Sequence, residues 1–165
     1  MPPLISPDLM QATWTAVAQM EAHELQRLQK LCGEDQEELT AFAHAYLGER
    51  SPDAAGLALY THVVLMEAFR RTQRRFRKIE PEEIAAAWEK NTAFVDGLSE
   101  AGYGRRPFRV EPDHHAEPAA LQYVFDALSE DDEEDPVDMD DDDFWHVLGV
   151  LKTVIDCMHD ACRAG

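Results

Sequence analysis

The chain has 165 residues, 45% of them hydrophobic, and a formal charge of −18, which suits one domain with one sizeable core. The longest uncharged run, residues 54–66, has thirteen residues; as a helix it reaches roughly 20 Å, short of the about 30 Å hydrocarbon layer, so no membrane span is expected. The opening MPPLISPDLM has neither the basic start nor the apolar stretch of a secretory signal, and a cytoplasmic location is expected.

The first helix is expected to start at Ser6, a capping residue followed by Pro7 and Asp8, and to run to about Leu31 with Gly33 as its stop. Met10, Trp14, Val17, Leu25, Leu28 and Leu31 mark its apolar face. At about 100° per residue Glu21 falls inside that stripe and Glu24 at its flank, so Glu21 is predicted to look inward and His23 outward. A second helix spans Asp35 to Leu47 and ends at Gly48.

Ser51, Pro52 and Asp53 repeat the first start signal and open a third helix reaching about Phe76. It contains YTHVVLMEAFRR (Tyr60 to Arg71), apolar on every side yet holding His62 and Glu67. Five residues rotate these two by about 140°, so they address different neighbours. Arg71, one turn beyond Glu67, is its expected partner, in the favourable order of acid before base. His62 is expected to sit neutral in the core, bonded to a carbonyl or hydroxyl, unless it faces a ligand. Glu80 and Pro81 start a fourth helix to about Ala101, with Asn91 in an apolar stripe beside Trp88, Phe94 and Val95.

GYGRRPFRVEPDHHAEP then reads as a long loop, its Glu111, Asp113, His114, His115 and Glu117 read as solvated polar groups, with adventitious capture of a divalent ion as the alternative. A short helix spans Pro118 to Leu128, and a last one Asp141 to about Arg163, with Asp156 and His159 sharing a face. Between them, eleven of the fourteen residues from Glu130 to Asp143 are acidic; outside that stretch 22 acids face 15 bases. The segment 130–143 is expected to be mobile and suited to a basic partner protein. Asp138, Asp140 and Asp142 do not open a calcium loop, because Asp143 and Gly149 stand where such a loop needs Gly and Glu.

No segment alternates with period two, so the expectation is an all-α, bundle-like fold of about six helices. SPD recurs, VAQMEA (Val17 to Ala22) is echoed by VVLMEA (Val63 to Ala68), and EELTA by EEIAA, at offsets of 45 or 46 residues. Two copies of a helical hairpin would produce that pattern and would make Glu21 and Glu67 counterparts.

An inward carboxylate needs a cation, a metal or a raised pKa. The carboxylate-bridged bundle pattern of Glu plus Glu-x-x-His is incomplete, since Ala41 precedes His44 and Trp88 precedes Asn91 at that spacing. An irregular divalent-metal site would draw on Glu21, Glu24, Asp156 and His159; ligand contacts would fall to His62, Glu67, Arg71 and Asn91. Arg70 to Lys78 and Arg105, Arg106 and Arg109 concentrate nine of the fifteen bases, but no nucleic-acid-binding signature accompanies them. No nucleophile elbow, phosphate-binding Gly loop or HExxH appears, so an interaction or regulatory module is the leading expectation over an enzyme, ahead of a ligand- or metal-holding bundle and an acidic mimic of nucleic acid.

Overall fold

A computed structural model describes residues 2–104, 108–130 and 137–162. The described residues form seven α-helices and one 3-10 turn: α1 (Pro7–Ala18), α2 (Ala22–Asp35), α3 (Glu37–Leu47), α4 (Pro52–Arg71), α5 (Pro81–Glu100), the turn Pro112–His114, α6 (Pro118–Ser129) and α7 (Asp141–Ala161). The fold is all-helical and bundle-like. The start signals act as expected: Ser6 and Ser51 hydroxyls accept from Leu9 and Ala54 amides, and the Asp140 carboxylate accepts from the Asp143 amide at 2.7 Å.

The expected first helix is two helices, which accounts for seven rather than six. Glu21 adopts an extended backbone (φ −76°, ψ 161°) and forms a capping box with Glu24 that starts α2 afresh. The chain is thereby re-aimed, and the apolar stripe of α1 does not continue. Glu21 lies in solvent, its side chain 76% exposed, not in the interior as periodicity along one straight helix implied. The proposed counterpart relation with Glu67 fails for the same reason: one glutamate begins a helix, the other sits inside one. Gly33 lies within α2 instead of stopping it. The third expected helix ends five residues early, at Arg71, where Gln73 turns into the left-handed region (φ 60°) and the chain pairs with the end of α7 through the Arg77 amide and Ala161 carbonyl.

α7 is the axis of the molecule. Its residues from Phe144 to Met158 are predominantly apolar and largely buried, with His146, Lys152, Thr153 and Asp156 the polar exceptions, and it packs against α3, α4, α5 and α6, while α1 covers α4 and α6 and α2 covers α3 and α4. A helix so largely apolar is stable only when surrounded. α5 packs tightly on α7 at Gly149, where an added Cβ would stand 3.3 Å from the Trp88 ring.

Two buried side chains fasten the connections. Gln36 donates to the Arg77 carbonyl and accepts from the Ile79 amide, holding the α4–α5 link against the start of α3. Glu117, expected in a solvated loop, turns inward: its carboxylate accepts from the Leu4 and Ile5 amides (2.8 and 2.9 Å) and from His159 Nδ1. The N-terminal strand of chain, α6 and α7 meet at this one carboxylate. Of the acidic stretch, residues 131–136 lie outside the described residues; Asp138 is bonded to Asp53 and Ser51 at the start of α4, and Asp140 to Asp143 form the N-cap and first turn of α7, with Arg50 bonded to Asp142 at 3.1 Å. No helix among the described residues is long and apolar enough to cross a membrane.

Gly149→Leu is expected to force α5 and α7 apart and cost about 1–3 kcal/mol, read as a lowered urea midpoint. Glu117→Ala strands two amides and an imidazole and should cost about 3 kcal/mol, with amide exchange at Leu4 and Ile5 becoming fast.

Candidate functional site

Lys152, Thr153 and Asp156 lie within one turn and a residue of each other on α7 and so face α5 together. Asn91 meets them from the middle of α5. The Lys152 ammonium donates to Asn91 Oδ1 at 2.9 Å and Asp156 Oδ2 at 2.8 Å, and stands 5.0 Å from the centroid of the Phe94 ring. Asn91 Nδ2 donates to Thr153 Oγ1 and to Asp156 Oδ2, both at 3.1 Å, and the Thr153 hydroxyl donates to the Gly149 carbonyl. Lysine is a donor only, so the amide oxygen of Asn91 must face it; the network leaves the amide one orientation. Lys152 is 8% exposed, and Asn91 and Thr153 are fully buried.

This network is the floor of a half-enclosed cavity of about 570 Å³, whose walls include Lys90, Phe94, His115 and Asp160. His115 sets its ring edge against Phe94, 5.5 Å between centroids. Burial and then the Lys152 charge hold its pKa below the ordinary histidine value, favouring a neutral imidazole. Arg77 and Glu83 close one rim through a 2.7 Å hydrogen bond, which keeps the Glu83 carboxyl below the usual range. Within the floor, two of the three ammonium protons and one of the two Asp156 oxygens have partners; the third proton and Asp156 Oδ1 meet none among the described residues. The cavity thus offers a donor with positive charge, an acceptor with negative charge, a neutral imidazole and an aromatic face within a small space.

The other expected site residues lie elsewhere. Glu67 is fully buried and paired with Arg71 (3.3 Å), as its spacing suggested, but Arg70 holds it more closely, at 2.6 Å. The pair is a structural tie at the basic end of α4. His62 is 1% exposed, and neither ring nitrogen finds the expected carbonyl or hydroxyl among the described residues. Burial, with a smaller contribution from His44, lowers its pKa to about 4. The four residues of the expected metal set do not gather: Glu21 and Glu24 cap α2 in solvent, Asp156 is bound to Lys152, and His159 is bound to Glu117. Among the described residues, the sole grouping of three His, Cys, Asp or Glu with ligand-compatible spacing is the exposed Glu21, His23 and Glu24. Cys32 and Cys157 are buried free thiols whose pKa burial pushes up to about 12, so they are poor nucleophiles.

Asn91, singled out as a ligand contact, and Asp156, singled out as a metal ligand, both lie in this network, whereas Lys152 and Thr153 were not singled out and the inward turn of Glu117 was not foreseen. A signal for Lys152 was present, since a lone lysine interrupts VLGVLKTVI, a run apolar on every helical face. Glu117 carried none, because loop position tells nothing about direction.

Removing one partner of the floor leaves the other charged and largely buried without its counter-ion. Lys152→Ala should cost about 2 kcal/mol of unfolding free energy, whereas Lys152→Met with Asp156→Leu should recover most of it, read from urea denaturation of the three proteins. For His62 the sign follows from its lowered folded pKa. The unfolded chain takes up a proton near pH 6.5 and the folded chain only near 4, so stability falls as pH drops through that window, by up to about 3 kcal/mol. His62→Leu should remove that part of the pH dependence and leave the pH 7 protein at least as stable, checked by denaturation at pH 7 and 4.5.

Comparison of the chain with protein-family models, with curated proteins and with solved structures returns no match.

Proposed function

We propose that the chain is a helical binding protein for a small amphoteric molecule, one with an anionic and a cationic group a few ångströms apart, as in an amino acid. The supporting observation is the buried Lys152 ammonium, neutralised by Asp156 at the floor of a cavity large enough for such a molecule. A carboxylate on the ligand would take the third Lys152 proton, with Lys90 at the mouth adding attraction. An ammonium would take Asp156 Oδ1, with Asp160 one turn further along α7. Phe94 supplies the apolar face, and neutral His115 a hydrogen bond of either sense.

The floor is formed in advance, so ligand binding needs little reordering of side chains. A paired Lys and Asp present both signs without a net charge in the interior. That arrangement discriminates against a simple anion or cation, each of which would be attracted by one group and repelled by the other. Catalysis is not part of this reading: no group in the cavity is poised as a nucleophile.

The test is a melting-temperature screen of the full chain against the common amino acids and a panel of hydroxy acids, simple amines and simple carboxylates. A ligand at one hundred times its Kd should stabilise by about 2.7 kcal/mol, a rise of roughly 5–10 °C for a chain of this size. The shift should come from the zwitterions, and Asp156→Asn and Lys152→Met should each abolish it while still folding. Equal shifts in the double variant Lys152→Met, Asp156→Leu, or no response to any zwitterion at 10 mM, would sink the proposal.

A further inference from the structure

A second concave surface lies on the opposite side of α5. α3 and α5 run side by side in the same direction, as Gln36 shows by joining the start of one to the chain entering the other. Their outer faces enclose an open groove of about 430 Å³. Its floor is aromatic: Tyr46 stacks on Trp88 (5.3 Å between centroids, 27° between planes) and Phe42 meets the Trp88 edge at 5.8 Å. Tyr46 remains 37% exposed, an uncommon degree for a large ring packed on two others. Ala41 and Ala85, both exposed, keep the walls low.

The one charged residue that lines this groove is acidic. Glu38 lines it, and Glu37 and Glu82 stand exposed in the first turns of α3 and α5 at the same end. None of the three has an ion-pair partner among the described residues, and no basic residue lines the groove. Two helix N-termini welcome some negative charge, yet half a charge each does not balance three carboxylates, and a capping box already supplies Glu80 and Glu83 to α5.

We infer that the groove between α3 and α5 receives a basic amphipathic helix of a partner protein. From Glu38 to Tyr46 is eight residues, about 12 Å, which matches two to three turns of a docked helix with apolar anchors at i, i+4 and i+7. The anchors rest on Phe42, Tyr46 and Trp88. Lysines or arginines on the flanks of the docked helix meet the carboxylates at the groove's end. The inference is independent of the cavity on the other face of α5, and it concerns a surface other than the segment 130–143 that the sequence pointed to for a basic partner.

A displayed library of 14-residue amphipathic helices, with the flanking positions randomised among Lys, Arg, Glu and Gln, is to be selected against the full chain. Selected peptides are then measured by fluorescence anisotropy. Lys- and Arg-flanked helices should be enriched, and Ala41→Arg, which fills the groove from an exposed helix position, should weaken them by more than about tenfold with no change in melting temperature. The triple variant Glu37→Gln, Glu38→Gln, Glu82→Gln should weaken them about fivefold and flatten the salt dependence. Absence of enrichment, enrichment of acidic or neutral helices, or indifference to Ala41→Arg would overturn the inference, as would a dimer of the chain itself that Ala41→Arg dissociates.

Discussion

A positive charge in the middle of the most buried helix must be neutralised within the protein, and Lys152 is that charge. α7 is enclosed by four other helices, so its ammonium cannot reach bulk water by extending along its own surface. Asp156 neutralises it from one turn away, Asn91 supplies an acceptor from α5, and Phe94 offers a π face. The Asn91 and Phe94 positions depend on α5 lying close against α7, which the absence of a side chain at Gly149 beside Trp88 permits. A packing detail on one side of the helix pair therefore sets the polar geometry on the other.

The same rule governs the remaining buried polar groups. Glu117 joins three distant parts of the chain, Glu67 takes two arginines from its own helix, and Gln36 stitches the α4–α5 link. In each case a group that would be costly alone is saturated by several partners, which makes the arrangement specific as well as tolerable. His62 is the exception, with both ring nitrogens unmatched among the described residues. Its lowered pKa is the consequence: the protein holds it neutral because nothing beside it would stabilise the charge.

α5 borders both concave surfaces. Its inner face, at Asn91 and Phe94, closes the polar cavity against α7, while Ala85 and Trp88 form the groove with α3. The Trp88 ring lies against Gly149 of α7 as well as Tyr46 of α3.

Local signals in the sequence were enough for the helix starts at Ser6, Ser51 and Pro81, for the all-α class, and for the absence of an apolar span, because capping and periodicity act within a few residues. Asn91 and Asp156 were legible as polar groups on apolar or shared faces, and the Glu67–Arg71 pair as a one-turn spacing. Glu21 was misread because the E-x-x-E box interrupts what periodicity treated as one helix, and a single break rotates every later side chain. What joins Asn91 to Lys152, or Glu117 to Leu4 and His159, is separated by tens of residues in the chain. Those contacts are settled only when helices pack, since the direction of a buried polar side chain is chosen by the partner that can satisfy it and not by its neighbours in sequence.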